Sequence, residues 1–251
     1  MTDRSLTGKR IVVVGGSAGI GRAFAIRAVM DGARLVVAAR RELPAEVLAE
    51  AVAAKSVSAD IRLTEDCARI GQLAADTLGE VDLLLICAGY APLKAFSEVD
   101  AEDWMKVLTT NVIGVHQVIQ AHLKLLTPSA VVAVLSSDSV RHPHRALGAY
   151  SASKAAMERS LVAWRLEHPG YRFSCVEVGA TVPTDFISDF DPDLLGVVAG
   201  EWISRGLVPA THMTPESVAD TLAGIFASAL DNPNVGLEHL TLKSPAAPMT
   251  S

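Results

Sequence analysis

Cysteine is scarce in this chain. Cys67, Cys87 and Cys175 are the only three in 251 residues. They form an odd, widely spaced set without metal-ligand spacing, which argues against a disulfide framework and against a zinc site, so no metal is expected. Basic residues do not cluster either. With 22 Lys and Arg against 28 Asp and Glu, the formal net charge is −6, and the chain has no electrostatic footprint for nucleic acid. No apolar run approaches membrane-spanning length. The opening residues, MTDRSLTGKR, lack the apolar segment of a secretory signal. No internal repeat is present, and low complexity is confined to the Pro/Ala/Ser tail from Ser244 to Ser251. The expectation is a soluble, cytoplasmic protein whose partners include neither membrane nor nucleic acid.

Apolar residues are plentiful, at 50% of the chain, enough for a sizeable core. The length suits one α/β domain or two small ones. Arg10 to Val14 is a short β-branched run, read as a buried strand. Gly15-Gly16-Ser17-Ala18-Gly19-Ile20-Gly21 follows, and a helical pattern runs from Arg22 to Asp31. Strand, glycine turn and helix are the setting of a dinucleotide fingerprint. Gly15 permits the tight turn, Gly19 lets the backbone approach a pyrophosphate, and Gly21 allows close helix–strand packing. The helix N-terminus then offers N–H groups and the positive end of its dipole.

A second strand, Arg34 to Ala39, lacks the acidic residue at its end that would accept a hydrogen bond from a ribose 2′-hydroxyl and select NAD. Ala39 stands there, followed by Arg40 and Arg41. A guanidinium at that point can pair with a 2′-phosphate, the alternative being an exposed arginine at a helix entry. Leu43 to Ala54 reads as a short helix. A brief third strand centred on Val57 reaches Asp60-Ile61. Thr64 to Leu78 is a helix with Thr64 as a candidate N-cap. Val81 to Ile86 is a fourth strand, ending in Cys87-Ala88-Gly89. Asp100 to Leu126 reads as one long helix disturbed near Thr109-Thr110-Asn111.

The apolar run Ala130 to Leu135 is a buried strand with Ser137 near its end. Tyr150 and Lys154 follow on a helix from Ala149 to Glu167. At i and i+4 they share one helix face. An ammonium held near a phenol favours the phenolate and lowers its pKa toward working pH, as proton transfer to or from an alcohol requires. Tyrosine and lysine at this spacing also occur on plain exposed faces. Together, however, the GxxxGxG turn, Asn111, Ser137 thirteen residues before Tyr150, and Tyr150-x-x-x-Lys154 resemble the short-chain dehydrogenase/reductase family, from about Lys9 to Asp185.

The resemblance implies a single-domain α/β Rossmann fold, doubly wound, with a parallel sheet of about seven strands. It also implies an enzyme: an NADP(H)-dependent oxidoreductase interconverting a carbonyl and an alcohol on a small-molecule substrate. The catalytic set would be Asn111, Ser137, Tyr150 and Lys154. The NADP (NADPH) contacts would be Gly15, Ser17, Ala18, Gly19, Ile20, Gly21, Arg40, Arg41, Asp60, Ile61, Cys87, Ala88, Gly89, Tyr150, Lys154, Gly179, Thr181 and Val182. For Asp60 a turn-capping role is an equal alternative, and the choice between Thr181 and Val182 for the nicotinamide carboxamide stays open. In the family the Asn carbonyl holds a water beside the lysine; the alternative for Asn111 is a bond to a helix carbonyl.

The family's usual Thr before the turn is Val14 here, its Asn before Ala-Gly is Cys87, and its glycine-rich C-terminal end is missing. Cys87 reads as a structural thiol. A sixth strand runs from Tyr171 to Val178, and residues 185–212 are expected to form an irregular substrate lid with bulk at Phe186, Phe190, Leu194, Leu195 and Trp202. Thr214-Pro215 begins a further helix, and Leu237 to Leu242 is a seventh strand. Arg141-His142-Pro143-His144-Arg145 is either a solvated basic loop or a meeting point for an anionic substrate, and Asp138 reads as a turn residue. Val112, Val115, Val118, Met157, Leu161 and Trp164 suggest a second apolar stripe and hence a homodimer or homotetramer. The other functional readings are an NADP-binding regulatory or scaffold protein and an epimerase or dehydratase of the same fold.

Overall fold

The computed structural model describes residues 5–41, 54–209 and 211–245. Seven strands form one parallel sheet: β1 (Arg10–Val14), β2 (Arg34–Ala39), β3 (Ala54–Ser58), β4 (Val81–Ile86), β5 (Leu126–Ser137), β6 (Arg172–Val178) and β7 (His239–Leu242), in the order β3-β2-β1-β4-β5-β6-β7. The doubly wound Rossmann fold expected from the sequence is therefore present. Its central strands are apolar on both sides because both faces are covered. Ile11, Val13, Leu83 and Leu85 point into one core, and Val12, Val14, Leu84 and Ile86 into the other.

Helices α1 (Gly19–Met30) and α7 (Pro215–Asp231) cover the first face, where Phe24 and Phe226 meet edge to face at 5.9 Å. Helices α2 (Thr64–Leu78), α4 (Val115–His122) and α5 (Gly148–Glu167) cover the second. Val115, Val118, Met157, Leu161 and Trp164 all lie in that second core, and Val112 packs against it. This corrects the second stripe drawn from them: these residues cover the sheet. The apolar side chains left exposed near them are Met105, Ile113 and Leu166.

Several boundaries shift for local reasons. The first helix starts at Gly19, three residues before the expected Arg22, because the glycine turn runs straight into it. Strand β3 ends at Ser58, short of Asp60-Ile61; the Asp60 N–H is taken by the Asp66 carboxylate at 2.7 Å and leaves the sheet. Thr64 is the first helical residue and Leu63 holds the cap position, so the Thr64 hydroxyl accepts from Gln117 instead. The expected long helix is α3 (Ala101–Leu108), a π-helical segment from Thr109 to Gly114, then α4 and a 3₁₀ turn (Leu123–Leu125), while Leu126 already belongs to β5. Of the expected helix at Leu43–Ala54, only Ala54 lies among the described residues, and it opens β3. Thr214 caps α7 as expected, in a reciprocal pair with Ser217 and with Pro215 in the first turn.

The chain winds outward from β1 to β3 and then returns to place β4 on the other side of β1. The crevice beyond the carboxyl ends of β1 and β4 is this fold's switch point, where ligands bind. No described helix is long and apolar enough to cross a membrane. The Phe24–Phe226 contact joins two helices far apart in sequence. Phe226→Ala is expected to cost about 3–5 kcal/mol, seen as a lower urea midpoint with an unchanged denaturant slope.

Candidate active site

The loops at the switch point enclose a cavity of about 520 Å³. Its floor is the turn after β1. Gly15, at φ +91°, lies so close to the end of β4 that a Cβ would stand 2.5 Å from the Ala88 nitrogen; one on Gly21 would stand 2.3 Å from the Gly15 carbonyl oxygen. Gly21 therefore serves the turn itself more than helix–strand packing. Gly16, for which no role was predicted, would place a Cβ 2.2 Å from the Val37 side chain on β2. Its position directly after Gly15 was the available signal. Gly15, Ser17 to Gly21, Arg40, Arg41, Asp60, Ile61 and Cys87 to Gly89 all line the cavity, as do Ser137, Tyr150, Lys154, Gly179, Thr181 and Val182.

Asn111 is the exception. It is fully buried behind the wall. Its side chain accepts from the Tyr90 N–H at 2.8 Å and donates to the Tyr90 carbonyl at 2.8 Å and to Ser153 Oγ at 2.9 Å. Its amide thus ties the π segment to the loop after β4 and to α5. Gly89 makes room here, since a Cβ on it would lie 3.5 Å from Lys154 Nζ and 3.6 Å from Asn111 Oδ1.

Ser137 ends β5 and accepts from the Ser139 N–H. Tyr150 and Lys154 stand one turn apart on α5, both buried. Lys154 Nζ donates to the Leu135 carbonyl at 2.7 Å and lies 5.9 Å from the centre of the Tyr150 ring. Burial lowers the Lys154 pKa to about 8, with small opposing contributions from Cys175, Cys87 and Glu158. Burial also pushes the Tyr150 phenol up; hydrogen bonding with Ser137 pulls it back, and Asp138 raises it further. The expected depression of the phenol's pKa by Lys154 is thus not produced by the protein atoms: desolvation dominates, and the ammonium is turned to a carbonyl. The Cys87 thiol is pushed up to about 12 by burial, which makes it a poor nucleophile.

Charges around the rim are mostly paired. Arg41 binds Asp185 at 2.5 Å. Asp60 is gripped by the Arg62 guanidinium and backbone N–H, which hold its carboxyl below the usual carboxylate range. Arg62, also in the cavity wall, was missed; the Asp-x-Arg spacing was its signal. The basic loop is solvent-exposed at Arg141, His142, Pro143 and Arg145, but both of its arginines are already paired with carboxylates. Arg141 reaches inward to Glu177 and Glu158, Arg145 pairs with Glu201, and His144 is buried against Trp202. Residues from 185 onward are not irregular: a short turn at Asp185–Ile187 precedes helix α6 (Pro192–Ser204), capped by Asp191 with Pro192 in its first turn. Phe190, Val198 and Trp202 pack there with Leu147 and Tyr150, and Phe186 lies 5.2 Å from the Tyr150 ring. Among the described residues no group of His, Cys, Asp or Glu could hold a metal ion.

Residues 9–194 match the family model of the short chain dehydrogenases. The chain belongs to that family. Among its relatives is a glycine betaine reductase of Emericella nidulans, 31% identical over 86% of this chain, although the chain spans only 17% of that protein's length. An uncharacterized oxidoreductase of Listeria monocytogenes is 26% identical and covers 97% of this chain and 99% of its own. Among solved structures, a short chain dehydrogenase from Burkholderia cenocepacia in complex with NADP superposes with a TM-score of 0.78 at 24% identity, covering 95% of this chain and 98% of that one. This short-chain dehydrogenase is accordingly an oxidoreductase of that fold.

Burying the Lys154 ammonium has a stability consequence of definite sign. Its folded pKa of about 8 lies below the ordinary 10.5, so between these values the unfolded chain binds the proton and the folded one does not. Stability from this group therefore rises with pH across that window, and the full penalty is present below it. Against Lys154→Met, which has no charge to bury, the wild type should gain in thermal midpoint from pH 8 to 10. A flat difference would show that the ammonium is solvated.

Proposed function

We propose that this short-chain dehydrogenase uses NADP(H) to interconvert a carbonyl and an alcohol on a small molecule. The observation that carries the reading is that Ser137, Tyr150 and Lys154 share one cavity with the glycine turn. The turn fits a dinucleotide because Gly15, Gly16 and Gly21 have no room for a Cβ and Gly19 carries φ +53°. Ser17 to Gly21 at the N-terminus of α1 would hold the pyrophosphate. Asp60 and Ile61 would flank the adenine, Ala88 and Gly89 the ribose. Thr181 is favoured over Val182 for the carboxamide, because the Val182 N–H is spent on the Met213 carbonyl at 2.9 Å. Such a dinucleotide supplies or accepts the hydride.

The protein's own residues handle the proton. A phenol kept neutral by burial is a proton donor, so Tyr150 suits the general-acid role in carbonyl reduction and becomes the base in the reverse direction. Ser137 Oγ steadies the carbonyl oxygen as charge builds on it. Lys154, held by the Leu135 carbonyl, would offer its other N–H bonds to the nicotinamide ribose. Asn111 positions the π segment whose backbone carbonyl would hold a relay water beside Lys154. Residues 185–212 form the substrate lid, with Phe186, Phe190 and Trp202 keeping water from the site.

The choice of NADP over NAD is supported by Ala39, which leaves no carboxylate at the end of β2, and by Arg40, exposed at the cavity rim beside it. Arg41 is bound to Asp185, which makes Arg40 the principal phosphate partner. One charged hydrogen bond, about 1.5–3 kcal/mol, corresponds to about 10- to 150-fold preference. Ala39→Asp with Arg40→Ala should reverse the preference in kcat/KM measured with both cofactors at fixed ionic strength. Equal use of NADH by the wild type would remove the assignment. Tyr150→Phe should retain cofactor binding and lose roughly 100- to 10,000-fold in kcat on a panel of ketones and aldehydes. Retention of a tenth of the rate would refute its role.

A further inference from the structure

Asp138 follows Ser137 and lines the same cavity. It is half-buried, yet among the described residues its carboxylate accepts no hydrogen bond and forms no ion pair. The charged and titratable groups around it are His142 and His144 on its own loop, Tyr150 on α5, Glu177 on β6 and Lys243 beyond β7. The nearby cations are committed elsewhere. Glu177, at 1% exposure, holds Arg141, His239 Nε2 at 3.3 Å and Lys243 Nζ at 3.3 Å. A second polar group beside Asp138 is also unspent: His144 is 8% exposed, lines the cavity, and its buried Nδ1 has no hydrogen-bond partner. Ser139, whose buried Oγ also has no hydrogen-bond partner, lines this end too, and Leu147, Phe190, Trp202 and Val208 supply its apolar wall.

A half-buried carboxylate and a buried imidazole Nδ1 left without hydrogen-bond partners against an apolar wall are costly unless a ligand completes them. We propose that Asp138, with His144 beside it, is a specificity-determining acceptor for a hydroxyl or ammonium group carried next to the reacting carbonyl. Asp138 lines the cavity beside Ser137 and acts on the Tyr150 phenol, which puts such a donor next to the carbonyl that Ser137 and Tyr150 are assigned. Burial raises the Asp138 pKa, so the preference should shrink as pH falls and the carboxylate takes up its proton. The inference rests on the proposed carbonyl chemistry.

The test uses three ketones of matched shape: propiophenone, 2-hydroxyacetophenone and 2-aminoacetophenone. The wild type with NADPH should favour the hydroxy or amino ketone over propiophenone by about 10- to 100-fold in kcat/KM, the scale of one hydrogen bond to a charged acceptor. Asp138→Asn should collapse that ratio. A loss confined to the amino ketone identifies an ammonium, and a loss on the hydroxy ketone a hydroxyl. A wild type that treats all three alike overturns the proposal without any variant, as does an Asp138→Asn enzyme whose only change is a higher KM for NADPH. Ligand binding by tryptophan fluorescence separates the two readings. A binding preference lost in Asp138→Asn, without turnover of any ketone, would defeat the carbonyl chemistry and keep the polar subsite; turnover without preference would do the reverse.

Discussion

An ammonium ion held out of water is the constraint on which the site depends. Lys154 is 3% exposed, and its nearest protein acceptor is one main-chain carbonyl, Leu135 at 2.7 Å. Desolvation of this kind is tolerated only when the surroundings are rigid enough to prevent the side chain from reaching solvent. The sheet supplies that rigidity. Strand β5 presents the carbonyl, α5 presents the ammonium, and both are packed into a core that includes Met157, Leu161 and Trp164. Stability given up at the lysine is recovered a turn or two further along the same helix.

The neighbouring polar groups follow from the same arrangement. Asn111 reaches Tyr90 and Ser153 only because the π segment adds a residue to the turn and swings its side chain inward. Gly89 leaves the space in which Asn111 and Lys154 approach each other. On the other side of β5, Glu177 draws Arg141 down from the loop between Ser137 and Tyr150. Arg141 is thereby held on Glu177, and the loop's acid, Asp138, is left lining the cavity. One buried carboxylate thus decides how a second one is used.

Much of this was legible in the chain. The runs RIVVV, RLVVAA and VDLLLI have the bounds of β1, β2 and β4 because strands buried on both faces are apolar beyond their first residue or two, where Arg10 and Asp82 pair with each other. Thr214-Pro215 marked the start of α7 because the N-cap bond and the proline ring act within one turn. Helix α6 was harder to read: LLGVVAGEWI has two glycines and no clear polar face, so its periodicity was weak, although Asp191-Pro192 offered the same local signal as Thr214-Pro215.

The readings that failed concern where a side chain points and what it meets. A list of arginines does not say that Arg141 will find Glu177, or that Arg62 will grip Asp60, because those partners are set by strand order and loop path. The apolar stripe on α4 and α5 is a property of composition, but whether it meets the sheet or a second subunit depends on how the helices dock. The amino-acid sequence by itself determined the fold, the family and the set of residues at the switch point, since glycine turns, apolar runs and helical spacing act over a few residues. Only the tertiary structure decided the charge states and pairings there, because desolvation and ion pairing depend on groups brought together from distant parts of the chain.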